Sequence, residues 1–121
     1  MTQERFAVED RPEESRYVLI DRGEDGPEAG VIGEESYVDV EGDHGTERVF
    51  FHTGVSDDYS GQGLASVLVG AAVEQVIAAG SAVVPVCPYV VAWVKKHPEF
   101  AEHVVPAGPG HLRAVSERQQ R

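Results

Sequence analysis

The spacing of hydrophobic and polar positions changes along the chain and separates strands from helices. Three early segments combine β-branched and aromatic residues between turn-forming stretches: SRYVLIDR (15–22), GVIGEESYVDVEG (30–42) and TERVFFHTGV (46–55). Such segments are typical of strands. Because glycine-containing turns connect them, we predict an antiparallel meander, with a break at Gly33 in its second strand.

Alternation within the third strand predicts what its two faces carry. Strict alternation would place Phe51 and Thr53 on one face, and Phe50 and His52 on the other. An imidazole at His52 is a candidate general base. A structural histidine that is hydrogen-bonded within the sheet fits the same position, so both interpretations stay open.

A long apolar helix follows the third strand and ends before Gly80, a suitable glycine for a helix C-terminus. The valine-rich segment SAVVPVC (81–87) then lacks alternation, which is typical of a strand covered on both faces. A helix between two strands predicts a βαβ crossover, so this strand should lie parallel to the 46–55 strand. A second helix, with Pro88 in its first turn, follows directly.

These elements together predict an α+β fold. An antiparallel meander continues into a βαβ crossover and gives a mixed sheet with a long helix on one side. We predict one domain over residues 15–105, a flexible or edge segment over residues 1–14, and a frayed tail over residues 106–121. A chain of 121 residues can bury one modest core.

Charge and composition narrow the function classes. The net charge of −11 argues against a nucleic-acid partner, because an acidic surface repels phosphate backbones. We expect no membrane span and no signal peptide, and the single cysteine, Cys87, favours a reducing, cytoplasmic location. The five histidines show no ligand spacing and Cys87 stands alone, so we predict no metal site.

Two glycines, Gly61 and Gly63, lie at the start of the long helix. The first backbone N–H groups of a helix lack intrahelical partners, and glycines let an anion approach them. A strand, a glycine loop and a helix N-terminus therefore favour a pyrophosphate site, with a tight turn that binds nothing as the alternative. Nucleotide motifs do not fit, because Leu64-Ala65 replaces the P-loop Lys-Ser/Thr and Ser66 replaces the third glycine of a dinucleotide fingerprint.

The segments VSDDYSGQGLASVLV, FHTGV and VVPVCPYVVAWVKKHPEF together resemble the GNAT superfamily of N-acetyltransferases, and within it the small single-domain proteins. The resemblance covers residues 15–105. It implies that two parallel strands splay apart to admit the pantetheine arm of acetyl-CoA. It also implies acetyl transfer to an amine, such as a polyamine or a protein lysine. The alternative is a non-catalytic module that binds CoA or acyl-CoA.

The resemblance also assigns individual residues. Those expected to contact acetyl-CoA lie at the strand end and in the glycine loop: Thr53, Val55, Ser60, Gly61, Gln62, Gly63, Leu64, Ala65 and Ser66. Two positions depart from the superfamily pattern. Asp58 stands where most members carry Gln or Arg, and Val94 stands where many carry the tyrosine that protonates the departing thiolate.

Cys87 is the candidate replacement for that tyrosine. It ends the second parallel strand just before a helix N-terminus, where a thiol becomes more acidic. It could attack the acetyl group, protonate the CoA sulfur, or serve only as a small buried residue. Tyr89 is the nearest hydroxyl in the sequence and a further candidate acid.

Overall fold

A computed structural model describes residues 5–23, 30–43 and 45–120. Five strands form one sheet in chain order: β1 (Phe6–Arg11), β2 (Arg16–Asp21), β3 (Gly30–Gly42), β4 (Gly45–Val55) and β5 (Ala82–Pro85). Neighbouring strands from β1 to β4 pair antiparallel, and β5 pairs parallel with β4. The predicted meander, crossover and mixed α+β sheet are confirmed.

Helices cover both faces of the sheet. They are α1 (Leu64–Ala78), α2 (Pro88–Lys96) and α3 (Pro109–Gln119), with 3₁₀ turns at Pro12–Glu14, Asp57–Tyr59 and Pro98–His103. The face against α1 and α2, called the inner face here, carries the larger core, which includes Tyr17, Leu19 and Phe50. The opposite outer face carries a smaller cluster in which Val115 of α3 packs against Val49 and Val84.

A β-bulge changes the alternation in β4. Ser36 of β3 pairs with His52, whereas the next residue, Tyr37, pairs with Phe50, so Phe51 is an extra residue in β4. Phe51 packs in the outer cluster, and Thr53 contacts inner-face residues. The prediction that Phe51 and Thr53 share a face is wrong, because a bulge inserts one residue into the pleat. His52 and Thr53 do face opposite sides.

Both terminal segments hold more structure than the sequence indicated. The segment predicted as flexible or edge contains β1, an edge strand, so the edge alternative fits its described part; residues 1–4 lie outside the described residues. The predicted frayed tail instead contains α3. Its His111 Nε2 lies 2.6 Å from Glu47 Oε1, and its Arg118 donates to the Glu14 carbonyl at 3.1 Å. Tertiary contacts therefore order a helix whose own apolar pattern is weak.

Candidate functional site

β4 and β5 separate at the point where β5 ends. Their last paired residues are Phe50 and Pro85, and the backbone N–H groups of Val86 and Cys87 both donate to the Phe50 carbonyl at 3.0 Å. β4 continues to Val55, and within the described part of the chain no strand pairs with that extension on the β5 side. The two parallel strands therefore open a gap at their carboxyl ends, which is where open sheets with parallel strands commonly bind ligands.

Peptide groups at the end of β4 face this gap. The Ser56 N–H donates to the Ile32 carbonyl of β3 at 2.8 Å. In an antiparallel pair, successive residues alternate between pointing toward the partner strand and away from it. Thr53 and Val55 therefore direct their backbone N–H and C=O groups toward the gap, where an extended ligand could pair with them.

The N-terminus of α1 forms a bare cradle, defined here as residues 61–66. Gly61 and Gly63 have φ values of 81° and 73°, and a Cβ added at either position would meet no atom within 4 Å. No side chain caps α1, and its first helical hydrogen bond runs from Val67 N–H to the Gly63 carbonyl. The earlier N–H groups are thus left to an external acceptor, as an anion site requires.

Two side-chain contacts anchor the cradle and the loop before it. The Tyr59 hydroxyl donates to Asp21, a buried carboxylate of β2 that also accepts from Arg5 at 2.8 and 3.0 Å and from the Gly23 N–H at 2.8 Å. The Arg5 guanidinium, followed by the Tyr59 hydroxyl, holds the pKa of Asp21 well below its usual range. Trp93 Nε1 of α2 donates to Ser66 Oγ at 3.0 Å.

Cys87 lies at the closed end of the gap. It is the N-cap residue of α2 and is only 9% exposed. Its Sγ lies 3.3 Å from Thr53 Oγ1, so the structure brings together two predicted site residues that are distant in sequence. The thiol therefore lies beside the β4 peptide groups that face the gap.

Sequence reasoning missed Glu35, the third member of this group. Glu35 lies opposite Thr53 on β3, is fully buried, and accepts a hydrogen bond from the Thr53 hydroxyl through Oε1. Burial, the dominant cause, raises the pKa of Glu35 to about 9. The pair Glu34-Glu35 carried an unused signal: adjacent strand residues face opposite sides, so one of the two carboxyl groups had to face the inner side.

Three other predicted or discussed residues lie away from the thiol. The His52 side chain is 54% exposed on the outer face, with Nε2 3.5 Å from Glu34 Oε2. Tyr89 is 40% exposed in the first turn of α2, and no hydrogen bond among the described residues joins it to Cys87. Asp58 is exposed, and its N–H donates weakly to Ser56 Oγ at 3.4 Å, so Ser56 caps this turn.

An open cavity of about 280 Å³ lies on the outer face at the end of β4. Glu34, Gly54 and Ser56 contribute to its lining. Arg16, which also lines it, donates to Glu34 at 2.7 Å. The cavity therefore presents one carboxylate between a guanidinium and the exposed His52 imidazole.

Metal and membrane features were searched for over the same described residues. No group of three or more His, Cys, Asp or Glu side chains is arranged to hold a metal ion there. No helix in that part of the chain has both the length and the apolar character needed to cross a membrane.

The gap, the cradle and the sheet topology are shared with known proteins. The model of the GCN5-related N-acetyl-transferase family matches residues 16–104. The solution structure of a GCN5-like protein from Staphylococcus aureus is 21% identical with a TM-score of 0.59, over 90% of this chain and 97% of that one, and so shares the fold. A chain of the NatC complex bound to Gag peptide and CoA is 20% identical, with a TM-score of 0.45, over 55% of this chain and 42% of that one.

No curated protein matches the chain. The family match spans most of its length, from β2 through the gap and the cradle to the residue that follows the last 3₁₀ turn. The chain therefore belongs to the GCN5-related N-acetyltransferase family.

Proposed function

We propose that this protein is an acetyl-CoA-dependent N-acetyltransferase that moves an acetyl group from the CoA thioester to a primary amine. One observation carries the proposal: the β4 peptide groups, the bare N-terminus of α1 and the Cys87 thiol adjoin the same end of the splayed strands. Membership in the family supports acetyl transfer in general. The cosubstrate, the acceptor and the residue roles are part of the proposal.

The residues of the cradle and of β4 fit acetyl-CoA. The N–H groups of residues 62–66 suit a pyrophosphate, because no side chain caps them and the glycines leave them uncovered. The peptide groups of Thr53 and Val55 suit the amides of a pantetheine arm. Ser60 lies exposed at the edge of the same loop. Bound acetyl-CoA would supply an acetyl group activated as a thioester.

Cys87 is assigned as the acid. Acetyl transfer forms a carbon–nitrogen bond and breaks the carbon–sulfur bond, so the departing sulfur needs a proton. Val94 occupies the position where many members of the superfamily carry a tyrosine for this purpose, and the Cys87 thiol lies at the gap instead. Cys87 would release its Sγ proton to the leaving sulfur and would regain one from solvent after the product departs.

The same thiol could instead act as a nucleophile. Sγ would then bond to the acetyl carbon as the thioester bond breaks, and the amine would attack acetyl-cysteine in a second step. Both routes need Cys87, but only the second leaves an acetyl group on the protein. An intact-mass measurement therefore separates them.

The outer face is proposed as the side from which the amine approaches. His52 is exposed there beside the open cavity and the Glu34 carboxylate. An imidazole in this place can accept the proton that the amine loses on attack. The net charge of −11 favours the approach of a cationic acceptor, such as a polyamine or a protein lysine.

A non-catalytic CoA-binding module is the second candidate, and the valine at position 94 favours it. Titration calorimetry with acetyl-CoA and assays of CoA release with spermidine and a lysine-containing peptide discriminate the two functions. We expect binding and amine-dependent CoA release, with the release lost in Cys87→Ala. Binding without release would support the module, and absence of binding would refute both candidates.

Intact-mass spectrometry after mixing with acetyl-CoA tests the role of the thiol. We expect no stable acetyl adduct, and we expect Cys87→Ser to keep part of the wild-type turnover, because direct transfer does not need a sulfur nucleophile. An acetyl adduct that disappears in Cys87→Ser together with all turnover would establish the two-step route instead.

A further inference from the structure

Three side chains form a continuous hydrogen-bonded chain from the sheet interior to the gap. Glu35 Oε1, Thr53 Oγ1 and Cys87 Sγ follow one another, and the Thr53 oxygen lies 3.3 Å from the sulfur. Glu35 is fully buried, Cys87 is nearly so, and the three residues come from β3, β4 and the N-cap of α2. We call this group the buried chain.

The Thr53 hydroxyl couples its two neighbours, because it has one proton to donate and lies between two groups. If Glu35 is a carboxylate, Thr53 must donate to it, and the Cys87 thiol must donate to Thr53. If Glu35 is neutral, with its proton on Oε1, Glu35 donates to Thr53 and Thr53 donates to the sulfur. The protonation state of Glu35 therefore sets the direction of the whole chain.

The surroundings of Glu35 favour the neutral form. No salt bridge among the described residues involves Glu35, and its Oε2 is buried without a hydrogen-bond partner. A buried carboxylate oxygen with no donor and no nearby cation is costly, whereas an unpaired carbonyl oxygen is tolerated more often. The pKa of Glu35, raised to about 9 by burial, agrees with this geometry.

Few other charged or titratable groups neighbour the chain. Glu34 and His52 lie on the outer face and pair with each other at 3.5 Å. On the inner face, Tyr17 lies beside Glu35, and Arg48 donates to its hydroxyl at 2.9 Å. The first turns of α1 and α2 contain no acidic residue, and Tyr89 is the titratable side chain in the first turn of α2.

We propose that Glu35, acting in its neutral form through Thr53, is a positioning residue that prepares Cys87 to carry a negative charge on its sulfur. The thiol hydrogen is then free to point into the gap, and the thiolate left after its release accepts a hydrogen bond from Thr53. No proton leaves Glu35. Such a hydrogen bond serves either route of the proposed function, on which this assignment of purpose rests.

The thiolate's ultraviolet absorbance in the free protein tests the chain without any substrate. It is followed against pH and read as the difference from Cys87→Ala. In Thr53→Val, which loses the donor, we expect the midpoint to rise by about one to two pH units. The matched control is Thr46→Val, which removes another Thr–Glu hydrogen bond, 2.8 Å long, from the exposed start of the same strand. The control should leave the midpoint unchanged.

Glu35→Gln separates the neutral form from a carboxylate, because the glutamine amide still donates to Thr53 but cannot accept a proton. We expect its midpoint to match the wild type and its amine-dependent CoA release to persist. A midpoint raised as far as in Thr53→Val would overturn the neutral assignment. This result remains available even if Thr53→Val does not fold.

The two levels of the account fail separately. An unchanged midpoint in folded Thr53→Val, together with normal CoA release, would overturn the buried chain and leave the proposed function intact. The expected midpoint shifts without binding of acetyl-CoA would leave the buried chain intact and refute the proposed function.

Discussion

The cradle and the buried chain are both proposed to serve one reaction, yet they are built in opposite ways. The cradle is a local structure: Gly61, Gly63 and the first turn of α1 are consecutive in sequence, and their function depends on backbone groups. The buried chain is assembled from Glu35, Thr53 and Cys87, which span 52 positions of the printed sequence. Its function depends on side chains that only tertiary structure brings together.

The contrast extends to burial. The cradle is exposed and its N–H groups await an acceptor, whereas the buried chain holds an acid away from water with one oxygen unpartnered. Changes in the cradle should therefore alter ligand affinity. Changes in the buried chain should alter pH-dependent properties, which gives four ways to test the comparison.

The largest effect is expected from Gly63→Val. A β-branched side chain would cover the N–H groups and strain a residue with φ of 73°, so we expect about a 100-fold or greater loss of CoA affinity. The matched control is Gly80→Val at the other end of α1, where φ is 81° and a Cβ also meets no atom within 4 Å. Both variants should lose similar stability by urea unfolding, but Gly80→Val should bind CoA normally by calorimetry. Equal affinities in the two folded variants would refute the cradle assignment.

Glu35→Gln should change how stability depends on pH. The pKa of Glu35 is raised in the folded state to about 9, so the unfolded chain releases this proton first and wild-type stability falls as pH rises from about 4.5 toward 9. The variant lacks this loss. Urea unfolding at pH 5 and pH 8 should show its advantage over the wild type growing by about 2–4 kcal/mol between the two conditions. Parallel pH profiles for the two proteins would mean that Glu35 is ionised in the fold.

The smallest effect is expected from Asp58→Arg at the edge of the cradle. If this exposed position faces the phosphates, exchanging a carboxylate for a guanidinium should tighten CoA binding about two- to fivefold at low salt. Added salt should reduce the gain, because exposed charges are screened. Calorimetry at two salt concentrations measures it, and a gain that persists in high salt would point to a contact other than the expected charge attraction.

How well each region could be predicted follows from the way it is built. Gly61 and Gly63 are visible as a motif, and the helix that follows them has a clear apolar period, so the cradle, the sheet order and the crossover could be read from the chain. The bulge at Phe51 could not, because pairing register rather than composition creates it. That bulge turns Thr53 to the inner face, and so the Thr53–Cys87 contact was out of reach.

Glu35 and α3 were missed for related reasons. A buried glutamate contradicts the usual hydrophobic pattern, and its partner Thr53 is 18 positions away. The α3 segment has few apolar residues of its own, and it is held by His111, Val115 and Arg118 against distant parts of the sheet. In both cases the deciding interactions join residues far apart in sequence.

The central claim is that the cradle and the buried chain are parts of one acetyl-CoA site, and the alkylation rate of Cys87 tests it most directly. Iodoacetamide reaction is followed by intact mass with and without CoA at about ten times its dissociation constant. The account predicts about tenfold slower alkylation with CoA in the wild type and in Gly80→Val, and no protection at the same CoA concentration in Gly63→Val. Equal rates with and without CoA in a wild-type protein that binds CoA by calorimetry would contradict the claim, because the bound ligand would then not reach the thiol.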